Sequence, residues 1–550
     1  MFKLLAIVLP LLALIGCARA PRCDRLLVGG IVHDGESARP LAIAVTNGRI
    51  AALVPAEEVG SRIPNAAEVV DLAGAHVYPG FTDAHGHLVG FGAALEEVDL
   101  TGTTSFSDVI ERVRHTAAAT PKGSWVRGRG WDQNLWPERT FPDHAALSAA
   151  VPDHPVLLGR IDGHAVLVNA RAMAIAGVGT ATPDPPGGRI VRSALGSPTG
   201  VLVDSAAKLV NAFVPADTDG DLERRVLAAG TALARLGITE IHNAGTSRQL
   251  LAVLRRLQAQ RRLPLRVVVL LDGSDDALLA GELPHGVQVS PDGMLAVRGV
   301  KLFADGALGS RGAWLSAPYA DDPANSGLRV ERDARLREVI ARTARARLAP
   351  CVHAIGDAAV HAVLDIFAAE RQALAGLRPR IEHAQVVTPA DVERFAELGV
   401  IASAQPVHCL SDMSWAPDRL GPDREAWAYR WRSLRNAGVV LAFGTDVPYD
   451  RPDPRLGLWA AVTRRPLEAS GVPWQPQETL SFAAALTGAT TAAAWAAGEE
   501  LWRGRIAVSF AADFTVFDRD LGTGEAAILQ ARTVRTVVGG RDMFSEGLER

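Results

Sequence analysis

The sequence predicts an α/β fold: a TIM-like (β/α)8 barrel, with a small β-sandwich domain built from both termini and an inserted subdomain. Three observations carry this. Short apolar runs alternate with amphipathic helical patterns through the middle of the chain, which implies a parallel sheet with crossover helices. Eight such runs can be counted, the number that closes a barrel. Both ends of the chain instead read as β-rich, and a stretch rich in Pro, Gly and Asp interrupts the alternation.

The amino terminus stands outside this fold. Lys3 supplies a positive start, residues 4–15 form an apolar run too short to span a bilayer comfortably, and Leu14-Ile15-Gly16-Cys17 follows. These residues resemble the lipobox of bacterial lipoproteins. The resemblance implies a signal peptide over 1–16, cleavage before Cys17 and acylation of that cysteine. Cleavage after Ala18-Arg19-Ala20 is the alternative, and Pro21 just beyond would hinder it. The expectation is an exported, membrane-anchored lipoprotein on the periplasmic side or cell surface, since several acyl chains give stable attachment.

Residues 24–75 follow as strand-like runs at 26–30, 41–45 and 50–54, with Asn47-Gly48 as a strong hairpin signal. Runs at 514–517 and 534–538 echo them, so 24–75 and 505–550 are expected to share one sandwich. The barrel is assigned to 76–123 and 220–504. Its strands are the run Ala75-His76-Val77-Tyr78 before His85, then 237–242, 266–271, 299–303, 350–353, 380–383, 400–403 and 439–443. Helical patterns at 334–347, 358–374 and 389–398 lie between them, the last opened by Thr388 as N-cap and Pro389 at the first position. Residues 124–219 are read as the inserted subdomain, because about a hundred structureless residues are implausible inside a compact enzyme.

Charge and cysteines exclude some classes. A net charge of −4 with no Lys/Arg block argues against a nucleic-acid binder. Four cysteines in 550 residues make no disulfide framework, and the sequence does not pair Cys23, Cys351 and Cys409.

Chemistry concentrates at the ends of the proposed barrel strands. In Asp83-Ala84-His85-Gly86-His87 the two imidazoles point the same way on an extended segment, and Gly86 leaves room for close approach. Such a pair suits a divalent metal. Lys301 lies in the fourth strand, followed by Asp305; His353 ends the fifth, His383 the sixth, and Asp446 follows the eighth in Phe443-Gly444-Thr445-Asp446. Each has an ordinary reading: a core histidine, a snorkelling lysine, a turn-capping aspartate. Together, in strand order, at the face where barrel enzymes place their sites, they point to one shared cause.

This set resembles the amidohydrolase superfamily of metal-dependent hydrolases over nearly the whole mature chain. Lys301-Leu-Phe-Ala-Asp305-Gly306, His353-Ala-Ile-Gly-Asp357, Ile381-Glu-His383-Ala-Gln385 and the insert resemble its YtcJ-like (amidohydrolase 3) branch. The resemblance implies two divalent ions, Zn²⁺ first among them. His85 and His87 would hold one and His353 and His383 the other, with Asp446 on the first and carboxylated Lys301 bridging both. It also implies hydrolysis of a carbon–nitrogen, amide-like bond other than a peptide bond, through a metal-bridging hydroxide with Asp446 as proton shuttle. Trp131, His164, Asn169, Asp305, Arg311 and His408 are candidate substrate contacts. The expected partners are a small amide-like molecule and, through the lipid, a membrane, with a homodimer left open. Two alternatives stand beside this. One is a one-metal deaminase-type hydrolase using His85, His87, His353 and Asp446, with His383 orienting water; the other is a non-catalytic surface lipoprotein.

Overall fold

The computed structural model describes residues 23–547 apart from 36, 64, 162–164, 186–187 and 468–470, so Cys17 and His164 lie outside the described residues. The barrel wall consists of eight parallel strands: β1 Phe81–Gly86, β2 Ile238–Thr246, β3 Arg266–Asp272, β4 Leu295–Phe303, β5 Ala349–Ala354, β6 Arg380–His383, β7 Ile401–Ala404 and β8 Leu441–Phe443. They pair in chain order, with Phe303 opposite His353 and Ala354 opposite His383, so successive strand ends lie side by side at one rim. Near-continuous burial along each strand is what a parallel sheet covered on both faces requires. Helix Pro389–Leu398 starts where Thr388 and Pro389 predict, with Thr388 Oγ1 accepting the Asp391 N–H at 3.1 Å, and stops at left-handed Gly399.

The end of the last strand docks onto the first. Asp446 N donates to His85 O at 2.7 Å, His87 N donates to Val447 O at 2.8 Å, and Thr445 N donates to Asp83 Oδ1 at 2.9 Å. Only glycine fits at 444, because a Cβ there would lie 2.4 Å from His85 N. The seam therefore brings Asp446 against the His85–His87 pair.

A second sheet of nine strands draws on both ends of the chain, including Cys23–Val28, Ile31–His33, Ala38–Thr46, His76–Pro79, Phe514–Phe517 and Thr533–Val538. It closes over Leu27, Val32, Ile43, Val77, Phe514 and Val537. The run expected as the first barrel strand belongs here: His76–Pro79 pairs with Ile31–His33 and Phe514–Phe517. Pro79 has no N–H to continue a ladder, and Gly80 packs where a Cβ would meet Thr239 Oγ1 at 2.4 Å, so the chain changes sheets there. The barrel strand is the following segment, which itself carries His85.

The interrupted stretch is also a sheet, and it begins earlier than residue 124. Its six strands are Val98–Asp99, Val126–Trp131, Val156–Arg160, Ala165–Val168, Gly188–Arg192 and Pro198–Asp204. Helix Phe106–Ala119 packs on it through Val109 and Val113, against Val98, Val126, Trp131 and Leu158. Short strands cut by Gly and Pro hide this periodicity in the sequence.

Candidate metal centre

The carboxyl ends of the barrel strands bring the predicted ligands together. His85 is fully buried and its Nδ1 donates to Glu382 Oε2 at 2.5 Å, while His87 Nδ1 donates to Ala244 O at 3.0 Å. Both rings therefore turn an Nε2 lone pair toward the site. Asp446 Oδ1 lies 3.1 Å from His87 Nε2 and 3.6 Å from His85 Nε2, and it accepts no hydrogen bond among the described residues. Acceptor faces acceptor, an arrangement that repels unless a cation stands between. Outer partners such as Glu382 and Ala244 O are what fix the orientation of metal-binding histidines.

The other histidines gather beside this group. The His383 ring stands 5.0 Å from that of His85 and 4.5 Å from that of His353. His383 Nδ1 is buried without a partner among the described residues. Ligand atoms of His85, His87 and Asp446 lie within 4.8 Å of one another, and so do those of His383, His408 and Asp446. His408, expected to touch substrate, thus sits among potential ligands. His353 is instead a ring neighbour, its Nε2 3.4 Å from Gly306 O and from Asp305 Oδ1. His383 and Asp446 both take left-handed backbone, φ 72° and 59°, which turns each side chain inward at a strand end. Strain of this kind gathers at functional sites.

Lys301 completes the floor of the site. It is 1 % exposed, its Nζ lies 3.2 Å from His85 Nε2, and burial pushes its pKa down toward the neutral amine. Burial together with the Lys301 charge also brings His85 down to about 4 and His353 to about 3, so both imidazoles are neutral at pH 7. Neutral imidazoles, a carboxylate and a buried amine fit divalent ions of the zinc type.

Above these groups opens a cavity of about 1020 Å³, walled by Phe303, Leu308, Trp415, Tyr449 and, from the insert, Ile161. Arg311, a candidate substrate contact, lines it and is held by Asp321 at 2.8 Å. Three other predicted contacts are corrected. Trp131 is fully buried in the core of the insert, its Nε1 donating to Leu158 O at 2.9 Å. Its backbone carbonyl accepts the N–H of the cavity residue Ile161 at 2.9 Å. Asp305 is buried beneath the rim, accepting N–H groups of Trp314, Ile355 and Gly356 at 2.8 to 3.0 Å, which fixes the loops there. Asn169 caps helix Ala170–Ala176.

Residues that the sequence reading missed include Glu382, Phe303, Trp415 and Arg419. The alternation Arg380-x-Glu382 inside an apolar strand is the signal that would have found Glu382, since both point into the barrel.

A family model described as the amidohydrolase family matches residues 68–544. This chain belongs to the amidohydrolase family. The YtcJ protein of Bacillus subtilis (strain 168) is 32% identical over 539 residues, covering 94% of this chain and 99% of that protein. The N-substituted formamide deformylase of Arthrobacter pascens is 28% identical over 536 residues, covering 94% of this chain and 97% of its own. Among solved structures, an uncharacterized metal-dependent hydrolase from Pyrococcus furiosus superposes with a TM-score of 0.76 at 29% identity, covering 91% of this chain and all of that one. The amidohydrolase described here is thus a metal-dependent hydrolase, and its converging ligand atoms lie where the barrel rim places them.

Proposed function

We propose that this amidohydrolase cleaves the carbon–nitrogen bond of a small amide-like substrate, using two divalent ions, Zn²⁺ foremost. His85, His87 and Asp446 would hold one ion and His353 and His383 the second, with Lys301, carboxylated on Nζ, between them. The observation that carries this is the set of lone pairs of His85, His87 and Asp446 turned on one another. Bound ions would supply Lewis acidity, polarising the substrate carbonyl and lowering the pKa of water.

The protein's own groups do the rest. Asp446 is 7 % exposed at the cavity floor, placed to take a proton from water and return it to the departing amine. Burial lowers the Lys301 pKa and so favours its neutral amine, the form that would add to carbon dioxide, with an N–C bond formed and a proton passed from the amine to water. Phe303, Leu308, Trp415 and Ile161 offer an apolar wall to the substituent on nitrogen and exclude water around it. The similarity to a deformylase of N-substituted formamides supports that substrate class. Attachment through acylated Cys17 is part of the same proposal; among the described residues no helix is long and apolar enough to cross a membrane.

The test is metal content together with turnover of a panel of N-substituted formamides and N-acyl amines. Two ions per chain and release of a primary amine are expected. Lys301→Ala should lose metal and activity, with partial recovery in a short-chain carboxylate buffer. One ion at full activity, with ammonia released from amino-heterocycles, would favour the deaminase-type alternative. Metal-loaded protein that turns over neither set would leave the non-catalytic reading.

A further inference from the structure

We infer that His33, His76 and Asp520 form a separate structural cation site in the sandwich, taking a divalent ion of the zinc type independently of the barrel centre. One ligand atom from each lies within 4.8 Å of the others, and all three residues are half-buried. His33 closes the strand Ile31–His33, His76 opens its neighbour His76–Pro79, and Asp520 stands in the turn after Phe514–Phe517, the next strand across.

The neighbours hold this triad in place. The His33 ring stacks on Tyr78 with centroids 4.1 Å apart and planes 10° from parallel. Tyr78 Oη and the Gly522 N–H both donate to Asp520 Oδ1, each at 2.7 Å. Among the described residues nothing donates to Oδ2, so one carboxylate oxygen is oriented and the other is free for an ion. This is how outer hydrogen bonds prepare a metal-binding carboxylate.

His33 Nε2 and His76 Nδ1 lie 2.9 Å apart, a hydrogen bond between two imidazoles. Burial lowers the pKa of both, so both are neutral near pH 7. On an ion with bonds of roughly 2.0–2.1 Å in tetrahedral array, two nitrogens stand about 3.3 Å apart, so the rings need to part by only a few tenths of an ångström. The ring that donates shifts its proton to its other nitrogen, both lone pairs then face the ion, and no proton leaves. Two imidazoles and one carboxylate favour Zn²⁺ and its neighbours over Ca²⁺ or Mg²⁺, with water in the remaining position. Bound there, the ion would clip the two ends of the chain together, since the Tyr78–Asp520 contact alone joins residues 442 apart in sequence.

The experiment loads full-length wild type, His33→Gln and Asp520→Asn by dialysis against micromolar Zn²⁺ and counts zinc per chain by mass spectrometry. Each variant should hold one zinc fewer than wild type at unchanged kcat, and chelator should lower the wild-type Tm by more than it lowers theirs. Equal zinc in all three proteins overturns the site. Because either substitution can unsettle the sandwich, zinc-soaked wild-type crystals give a second reading. An anomalous peak among the three side chains supports the site, and peaks confined to the barrel overturn it. The count is a difference between proteins with the same barrel residues, so it stands whether the barrel holds two ions, one or none.

Discussion

At the carboxyl end of the barrel, buried imidazoles and the Asp446 carboxylate face one another acceptor to acceptor. At the amino end buried carboxylates are paired with arginine donors instead. Arg266 forks onto Asp513 at 2.7 and 3.0 Å, and Arg503 pairs with Glu240 and reaches Thr82 Oγ1 at 3.1 Å. The two ends are joined. Glu240 meets His242 at 3.3 Å, His242 takes an Arg380 N–H at 3.0 Å, and Arg380 binds Glu382, which holds His85. Burial is alike along this chain of contacts; what differs is that arginines answer the carboxylates at the lower end, whereas at the upper end the imidazoles and Asp446 face one another. The lower end sets its carboxylates against arginines, with the Glu499 oxygens alone left without a hydrogen bond among its described carboxylates, and the upper end is open to a ligand.

The contrast can be tested from the strongest effect downward. Asp446→Asn removes the open carboxylate and should lower kcat by ~10²–10⁴-fold with little change in Tm; an unchanged kcat would remove Asp446 from the chemistry. Arg503→Met strands Glu240 without its partner and should cost about 3–5 kcal/mol of stability in denaturant titrations, while the folded fraction keeps near wild-type kcat. If that variant is instead stable and inactive, the two ends are not separable in this way. Glu382→Gln stands at the junction. It should weaken metal binding by roughly 10–100-fold in competition with a chelator, the usual cost of an outer partner. Full affinity there would mean that His85 is oriented without Glu382.

The smallest effect concerns Glu499, which burial and the nearby Glu240 push up to about 7. A carboxyl raised on folding holds a proton that the unfolded chain has already lost. Its stabilisation is complete below the ordinary carboxylate pKa and declines as pH rises to about 7. Glu499→Gln lacks this loss, so its Tm relative to wild type should climb by a few degrees between pH 4.5 and 7.5. A flat difference would show that Glu499 is ionised throughout.

The sequence shows the upper end better than the lower. Histidines, a lysine and an aspartate at strand ends stand out against apolar runs, and strand order alone gathers them. The path of the backbone is harder to read. Nothing in Ala75-His76-Val77-Tyr78 announces that it pairs with a strand more than four hundred residues away, as the Tyr78–Asp520 separation of 442 illustrates. Its apolar pattern suits either sheet, and register is a tertiary property. Trp131 and Asp305 were misplaced for a related reason. Aromatic and acidic residues in Gly-rich loops serve packing and turn fixation as readily as ligand contact, and only the fold shows that both are buried. His408 lay just past a strand, where sequence does not tell a wall residue from a ligand. The insert was legible as an interruption but not as a sheet, because its strands are short and broken by Gly and Pro.

The seam at Gly444 bears on the order in which the centre becomes competent. His85 and His87 come from the first barrel strand and Asp446 from just beyond the last, across a seam where Thr445 meets Asp83, 362 residues away. Most of the barrel must be synthesised before these three groups exist together, and the ring must shut before they come within reach of a single ion. A half-made chain offers only a loose pair of imidazoles, whereas the finished one offers a three-point grip. Cation occupancy would therefore register a topological event, the joining of the barrel's two ends. A bulkier residue at 444 would hold that seam ajar while leaving every ligand in the sequence.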